Sequence, residues 1–502
     1  MASYDYDIGI VGGGAAGLTV ASGAAQLGAK TVVIEKEKAL GGDCLHYGCV
    51  PSKTLIKTAH VYHLMKSGPE FGLPAMEPPP VDFREISRRI KSVVSVIQKH
   101  DSVERFCKLG VQVEFGDPVF KDEHSIKLDG KIISARTWVV ATGSSAAVPP
   151  IEGLDKTPHL TNRDIFTLNK LPASMIIMGG GPIGIEMAQA FCRLGTKVTV
   201  IEGAGQILGQ EDQDMAALVQ KTLEAEGVVF HISTSIIRTR DLGDEREVIV
   251  ETATGSTISF KGDAILVALG RSPNVSGLGL ENIDIPFDRR GIKVNQYLKT
   301  RHKHIYAAGD VIGGYQFTHV AGYEGGVVLS NAVFHLPKKT NYSNVPWCTY
   351  THPELASIGM NEKSAKAAGI EYTTWTEEFS DNDRGLAEGE TVGRIKLLLD
   401  TKEKPLGVQI LGPHAGELLG EWVAVMNAKV GLSKVAAAIH PYPTLGEINK
   451  KVVGSIFSKK IFSNTVRKGL KFFFNLKGRA CTCGPETVCE ENGCNESRTK
   501  PS

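Results

Sequence analysis

The most constraining feature of the chain is a unit that it contains twice. Asp7-Ile-Gly-Ile-Val11 runs into Gly12-Gly-Gly14-Ala-Ala-Gly17, then an alanine-rich stretch closing on Leu27-Gly28, then Thr31-Val-Val-Ile-Glu35. Downstream, Met175-Ile-Ile-Met178 runs into Gly179-Gly-Gly181-Pro-Ile-Gly184, a stretch closing on Leu194-Gly195, and Val198-Thr-Val-Ile-Glu202. In both copies the glutamate lies 23 residues beyond the first glycine and the Leu-Gly pair begins 15 beyond it. Each copy predicts a strand, a tight turn, a helix and a second parallel strand. The first glycine permits the turn, the second lets a pyrophosphate approach the backbone, and the third lets helix and strand pack, while the helix N-terminus attracts the anion. A carboxylate closing the second strand accepts hydrogen bonds from an adenosine ribose. Two empty packing turns would not call for matching glutamates, so the chain is read as α/β with two Rossmann-like dinucleotide-binding domains.

The length agrees, since 502 residues make three or four domains at roughly 100 to 200 residues each. With 56 Lys plus Arg against 55 Asp plus Glu, net charge +1, the chain lacks the basic excess of a nucleic-acid binder. Apolar strands ending in small-residue turns recur at Trp138–Gly143, Ala264–Gly270 and Ile305–Asp310. Asp310 either binds a ligand hydroxyl or caps its turn. Breaks at Pro149-Pro150, Pro172 and Arg271–Asn274 place a first nucleotide domain at 1–150 and 272–344 and a second at 151–271. Residues 345–455 read as a C-terminal α+β domain of alternating strands and one long helix, followed by a tail at 456–502. The start carries no basic, then apolar, leader pattern, and no run reaches about 18 apolar residues, so a cytoplasmic protein with reduced thiols is expected.

Cys44 and Cys49 stand in Gly42-Asp-Cys-Leu-His-Tyr-Gly-Cys-Val-Pro-Ser-Lys53, soon after the first nucleotide motif. Five residues of regular helix rise about 7.5 Å, beyond the roughly 7 Å Cα limit of a disulfide. A bridge therefore needs a distorted turn, which Gly48 eases. The alternatives are a redox-active dithiol and two inert buried cysteines.

Together, Gly42–Lys53, the two glycine motifs, Ala307–Asp310 and His440-Pro-Tyr-Pro-Thr-Leu-Gly-Glu447 resemble the pyridine nucleotide-disulfide oxidoreductases over about residues 5 to 455. That family includes dihydrolipoamide dehydrogenase, glutathione reductase and mercuric reductase. The resemblance implies a glutathione-reductase-like fold with a C-terminal dimerisation domain, hence a homodimer. It implies that Gly12, Gly14, Gly17 and Glu35 bind the ADP half of FAD, with Asp310 on the ribityl chain and Gly116, Thr142 and Gly143 lining the site. Gly179, Gly181, Gly184, Glu202 and Gly270 would bind a nicotinamide dinucleotide. Cys49 would face the flavin as the thiolate, Cys44 would exchange with substrate, Lys53 would lie near the flavin paired with Glu186, and His319 would lie near the pyrimidine ring. Glu202 accepts from a free 2′-hydroxyl but repels a 2′-phosphate, and no Arg follows in Gly203–Gln206, so NADH is expected over NADPH.

His440 with Glu447 has the form of a general base and its orienting carboxylate, and in the family the matching histidine serves the partner subunit's dithiol. Typical mercuric reductases carry a tyrosine in this stretch, and this chain has Tyr442 beside His440. The acceptor is thus a disulfide or a soft metal ion, mercuric-reductase-like, with dihydrolipoamide dehydrogenase as the alternative. The rival class is a flavin-bearing binding protein without turnover, which loss of either cysteine would have favoured.

From Lys450 to Arg479 there are nine Lys or Arg and no Asp or Glu, with Val453, Ile456, Phe457, Ile461, Val466, Leu470, Phe473 and Phe474 at roughly helical spacing. This basic amphipathic segment suits either an anionic membrane surface or packing across a dimer. Cys481, Cys483, Cys489 and Cys494 then crowd 14 residues, a soft-metal set or thiol relay. Cys107, Cys192 and Cys348 receive no role.

Overall fold

The computed structural model describes residues 3–478. Both repeated units fold as read. In the first, strands Tyr6–Val11 and Thr31–Glu35 pair in parallel across helix Ala15–Gln26. Val111–Phe115 extends the sheet beyond Thr31–Glu35, and Lys131–Val140 pairs with Tyr6–Val11 on the other side. Ile305–Ala307 returns from far along the chain to pair with Lys131–Val140, which brings Asp310 into this domain. The strands bury Ile8, Ile10, Val33 and Val139 completely, so they read as continuous apolar runs covered on both faces. Helix Thr318–Ala332 lies on helix Ala15–Gln26 at glycine contacts: a Cβ at Gly23 would meet Leu329 Cδ2 at 2.4 Å, and one at Gly325 would meet Ala16 O at 2.9 Å.

The second unit gives a four-stranded parallel sheet, Val229–His231, Lys197–Ile201, Ser174–Met178 and Ala264–Val267. It also carries an antiparallel three-stranded sheet over Ser235–Asp241, Arg246–Glu251 and Thr257–Gly262, which the repeat does not announce because it lies after the repeated unit. The two crossings between nucleotide domains form a small ribbon, Ser144–Ala146 antiparallel to Arg271–Pro273. The breaks read near Pro149 and Arg271 flank that ribbon.

The C-terminal domain is a five-stranded antiparallel sheet in the order Pro346–Thr349, Glu354–Gly359, Pro405–Gly412, Arg394–Leu399, Thr373–Glu378. Two long helices, not one, build its core: Ala415–Asn427 contributes Trp422, and Glu447–Ile461 contributes Val452, Val453 and Ile456. Lys396, 3% exposed, ties this domain to the second nucleotide domain through Asp212 at 3.2 Å and Asp214 at 2.5 Å, and it also meets Glu362 of its own domain at 2.9 Å. Among the described residues that carboxylate trio has metal-ligand spacing, and the Lys396 ammonium already occupies its centre.

The basic segment divides. Val453 and Ile456 belong to the domain core, so the apolar stripe of Glu447–Ile461 is spent on packing, whereas helix Asn464–Phe474 buries no residue. Cys481, Cys483, Cys489 and Cys494 lie outside the described residues. Among the described residues no helix is long and apolar enough to cross a membrane.

Candidate active site

The two glycine turns are superposable in their constraints. Gly12 and Gly179 hold φ of +109° and +112°, the left-handed region that favours glycine. A Cβ on Gly17 would lie 2.0 Å from Gly12 O, and one on Gly184 would lie 2.1 Å from Gly179 O. The middle glycines differ: a Cβ on Gly14 meets nothing nearer than 3.8 Å, and one on Gly181 meets nothing within 4 Å. Gly14 and Gly181 are also the N-caps of their helices and make no side-chain cap, so first-turn N–H groups face a cavity. Glu35 accepts from Gly13 N at 2.6 Å and Glu37 N at 2.8 Å. Glu202 repeats this with Gly180 N at 2.6 Å and Ala204 N at 2.7 Å. Each carboxylate thus closes its glycine turn, with lone pairs left for a ribose.

Cys44 lies in the short helix Gly42–His46 and Cys49 opens helix Cys49–Lys66, so the chain breaks between them as the disulfide geometry requires. A Cβ on Gly48 would come within 3.0 Å of Cys44 Cα, which is why the break carries glycine. Both thiols are free. The Cys44 thiol hydrogen bond and, against the cost of burial, the Lys53 ammonium bring Cys49 down to about 6, while the same bond and burial push Cys44 up. Cys49 Sγ lies 3.7 Å from Thr318 Oγ1. One turn on, Lys53 Nζ donates to Glu186 Oε2 at 2.8 Å, and Tyr350 N donates to Glu186 Oε1 at 2.9 Å. Lys53 therefore bridges the first nucleotide domain to the second.

One cavity of about 1410 Å³ joins Gly14, the two cysteines, Lys53, Asp310 and Gly181. Thr142, Gly143, Gly270 and His319 also line it. His319 Nε2 donates to Pro346 O at 2.8 Å, so this imidazole is already fixed at the edge of the wall. Gly116 is outside the wall, where Asp117 and Pro118 stand instead; its own N–H holds Glu35 O at 3.0 Å. Its role is to position the strand end that carries Glu35.

The residues sort the chain without ambiguity when set beside known proteins. The family described as pyridine nucleotide-disulphide oxidoreductase matches residues 6–325, and its dimerisation domain matches residues 345–453. The chain belongs to this family. A dihydrolipoyl dehydrogenase of Bacillus subtilis is 36% identical over 446 residues, covering 87% of this chain and 96% of the relative. A mercuric reductase of Bacillus cereus is 33% identical over 449 residues, covering 89% of this chain and 70% of the relative. The HOCl-induced flavoprotein disulfide reductase RclA from Escherichia coli shares the fold with a TM-score of 0.81 at 28% identity, covering 89% of this chain and 99% of that one. Members of the family are FAD-dependent and work with a pyridine nucleotide.

The residues present fit FAD in the cavity of this oxidoreductase. The open space at Gly14 and the uncapped helix suit its pyrophosphate, Glu35 its ribose, and Asp310 its ribityl hydroxyls. Asp310 Oδ2 accepts from Ser144 Oγ at 2.5 Å, and burial raises its carboxyl. Arg271 donates to Ser144 Oγ at 2.7 Å, to Ser144 O at 2.8 Å and to Asp43 Oδ2 at 2.8 Å. Asn162 donates to Asp43 Oδ1 at 3.1 Å and to Tyr47 O at 3.1 Å. Arg271, Asp43 and Asn162 thus lock the dithiol turn to the crossing ribbon. Sequence reading treated Arg271 only as a domain break; a charge set between glycine and proline in Gly270-Arg-Ser-Pro was the available signal.

Behind Asp310, Glu324 accepts from Gly309 N at 2.6 Å and from Tyr342 Oη at 2.7 Å. Burial raises its carboxyl to about 7, above the ordinary 4.5. The folded state therefore favours the neutral acid. Stability is full below about pH 4.5 and declines as pH rises through about 7, because the unfolded chain then releases a proton the fold retains. Glu324→Gln should flatten this decline: thermal unfolding below and above that window should show wild type losing stability that the variant keeps. Parallel pH profiles would remove Glu324 from the account.

The paired base is corrected by the structure. His440 Nε2 contacts Glu421 Oε1 at 3.1 Å, not Glu447, and its Nδ1 is buried without a partner. Glu447 begins helix Glu447–Ile461, and its carboxylate meets Thr444 N, at 3.4 Å. Glu421 comes from helix Ala415–Asn427, a pairing that local spacing does not reveal. Both imidazole nitrogens are thus turned inward. Tyr442 is 71% exposed and donates to Asp383 Oδ2 at 2.8 Å, a bond that raises the phenol above its usual range.

Proposed function

We propose that the protein is an NADH-driven reductase of a disulfide or a thiol-seeking soft metal ion, acting as a homodimer and mercuric-reductase-like in its acceptor chemistry. Supporting this over a lipoamide dehydrogenase is one observation: the imidazole of His440 is engaged internally, while the phenol of Tyr442 stands exposed. A thiol that must be deprotonated at each turnover of a dithiol substrate calls for an accessible imidazole base. A soft metal ion binds thiolates and needs no such base.

Bound FAD supplies a two-electron relay between nicotinamide and protein sulfur. The chain does the rest. Gly181 and the N-terminus of helix Pro182–Leu194 hold the pyrophosphate of NADH, and Glu202 holds its ribose. Two electrons and one proton reaching the Cys44–Cys49 disulfide break the S–S bond, leaving the proton on Cys44 and the charge on Cys49. Lys53, fixed by Glu186, stabilises that charge. Cys44 then gives up its proton to water and attacks an acceptor disulfide, breaking its S–S bond, and the leaving thiolate takes a proton from the partner subunit's Tyr442, which water reprotonates. Cys49 attacks the mixed disulfide, restoring the Cys44–Cys49 bond and expelling a second thiolate, which takes its proton from water. With a divalent soft metal ion, both thiolates bind it and its reduction consumes the two electrons. The thiol content suits a reducing compartment, and we place the protein in the cytoplasm.

The decisive comparison is anaerobic turnover of the FAD-loaded protein with Hg(II), lipoamide and glutathione disulfide, each with NADH and NADPH. NADH should exceed NADPH in kcat/KM, and lipoamide should be the poorest acceptor. A lipoamide rate above the other two would overturn the acceptor reading, and NADPH preference would overturn the role of Glu202. Tyr442→Phe should lower disulfide turnover on the order of 10²-fold while NADH reduces the bound flavin at its former rate. A larger loss in His440→Gln than in Tyr442→Phe would restore the lipoamide reading.

A further inference from the structure

The second half of the basic segment is a helix with nothing to cover it. Helix Glu447–Ile461 ends at Phe462, and Ser463 caps the next helix, accepting from Val466 N at 3.4 Å. Among the described residues, none packs over Asn464–Phe474 closely enough to bury any of its side chains. Val466, Leu470, Phe473 and Phe474 fall at i, i+4, i+7 and i+8, one stripe along the helix, and Arg467, Lys468 and Lys471 flank it. Phe472, Phe473 and Phe474 are 82%, 76% and 70% exposed, and Phe462, just before the helix, is 64% exposed.

We infer that helix Asn464–Phe474 docks the protein on an anionic lipid bilayer, lying in the interface with its phenylalanines among the acyl chains and its lysines at the headgroups. Charge selects this occupant. Nine of the 56 basic residues and none of the 55 acidic ones fall within 450–479, so the rest of the chain is net acidic. An anionic surface attracts the segment and repels the remainder, which orients the protein as well as holding it. Contact between this helix and the same helix of a second copy would oppose two basic flanks. Three consecutive aromatic side chains at a helix end also exceed what an exposed surface ordinarily carries, and rings of this kind favour the bilayer interface.

The test uses full-length, FAD-loaded protein in co-sedimentation with vesicles of phosphatidylglycerol in phosphatidylcholine and of phosphatidylcholine alone. Wild type should partition at least about tenfold more strongly to the anionic vesicles, and raised salt should release it. Lys468→Gln/Lys471→Gln should weaken anionic binding roughly 30-fold, about fivefold for each charge removed. Phe473→Ser/Phe474→Ser should weaken it further, with turnover in solution and lipid-free molecular mass unchanged. Equal partition to both vesicle types, or no partition of wild type, overturns the inference. A fall in lipid-free mass for the phenylalanine variant also overturns it, because the helix would then be part of the dimer contact.

Discussion

Cys49→Ser should abolish NADH-driven reduction of a disulfide acceptor, lowering turnover by a factor on the order of 10³ or more, while the protein stays folded and retains FAD. The expectation rests on where the charge can reside. A thiol in water ionises near 9.0, but Cys49 ionises at about 6 because Cys44 donates to it and Lys53 stands one helical turn away. Serine cannot carry that charge near neutrality, nor can it form the bridge that Cys44 needs to complete the second attack. The Cys49 side chain is exposed and belongs to none of the apolar cores, so the fold should survive. The control is NADH oxidation with a soluble one-electron dye, which draws on the flavin and bypasses sulfur; that rate should be retained. The wild-type dithiol adds a pH arm: ultraviolet thiolate absorbance of the reduced protein should appear with a midpoint near 6, and acceptor reduction should fall below it. Lys53→Met should move that midpoint upward, since it removes a cation that favours the thiolate. A Cys49→Ser enzyme within tenfold of wild type would mean that electrons leave the flavin by another route.

What sequence could and could not reveal follows from the range of each interaction. The glycine turns, their glutamates and the break between Cys44 and Cys49 are set by neighbours within one βαβ unit or a few residues, so spacing alone located them. The Lys53–Glu186 pair spans 133 residues, and only resemblance to the family joined its two halves. The partner of His440 was misread for the opposite reason. Glu447 is near in sequence, but its place at a helix start directs it to Thr444 N, and the rotation of a different helix brings Glu421 to the ring. Arg271 went unread because its three acceptors, Ser144 Oγ, Ser144 O and Asp43, converge only once the crossing ribbon forms. The basic segment shows the limit of periodicity: the apolar stripe of 453–457 and that of 466–474 look alike in sequence, and only packing tells a core face from an open one.

That distinction between what the fold needs and what a ligand needs gives the second large effect. Gly184→Ala should destabilise the second nucleotide domain, whereas Gly181→Ala should leave the fold intact and damage nucleotide use. At Gly184 the added carbon would sit 2.1 Å from Gly179 O, a backbone atom that cannot swing aside, and Ile177 Cγ2 stands at 3.3 Å. Helix and strand must separate to admit it, at about 1–3 kcal/mol, visible as a lower Tm. At Gly181 the backbone is extended, with φ of −74° and ψ of 177°, and the new methyl meets no protein atom within 4 Å. It projects instead into the cavity at the uncapped end of helix Pro182–Leu194, where a pyrophosphate must approach the amides. Gly181→Ala should therefore raise the KM for NADH by about tenfold or more with Tm unchanged, since losing even one good phosphate hydrogen bond costs roughly 1.5 kcal/mol. The first unit offers the same contrast one cofactor earlier. Gly17→Ala, 2.0 Å from Gly12 O, should lower Tm, and Gly14→Ala should give a folded protein that releases FAD more readily. An unchanged KM for NADH in Gly181→Ala would mean that the second glycine turn is a packing device and that the dinucleotide lies elsewhere.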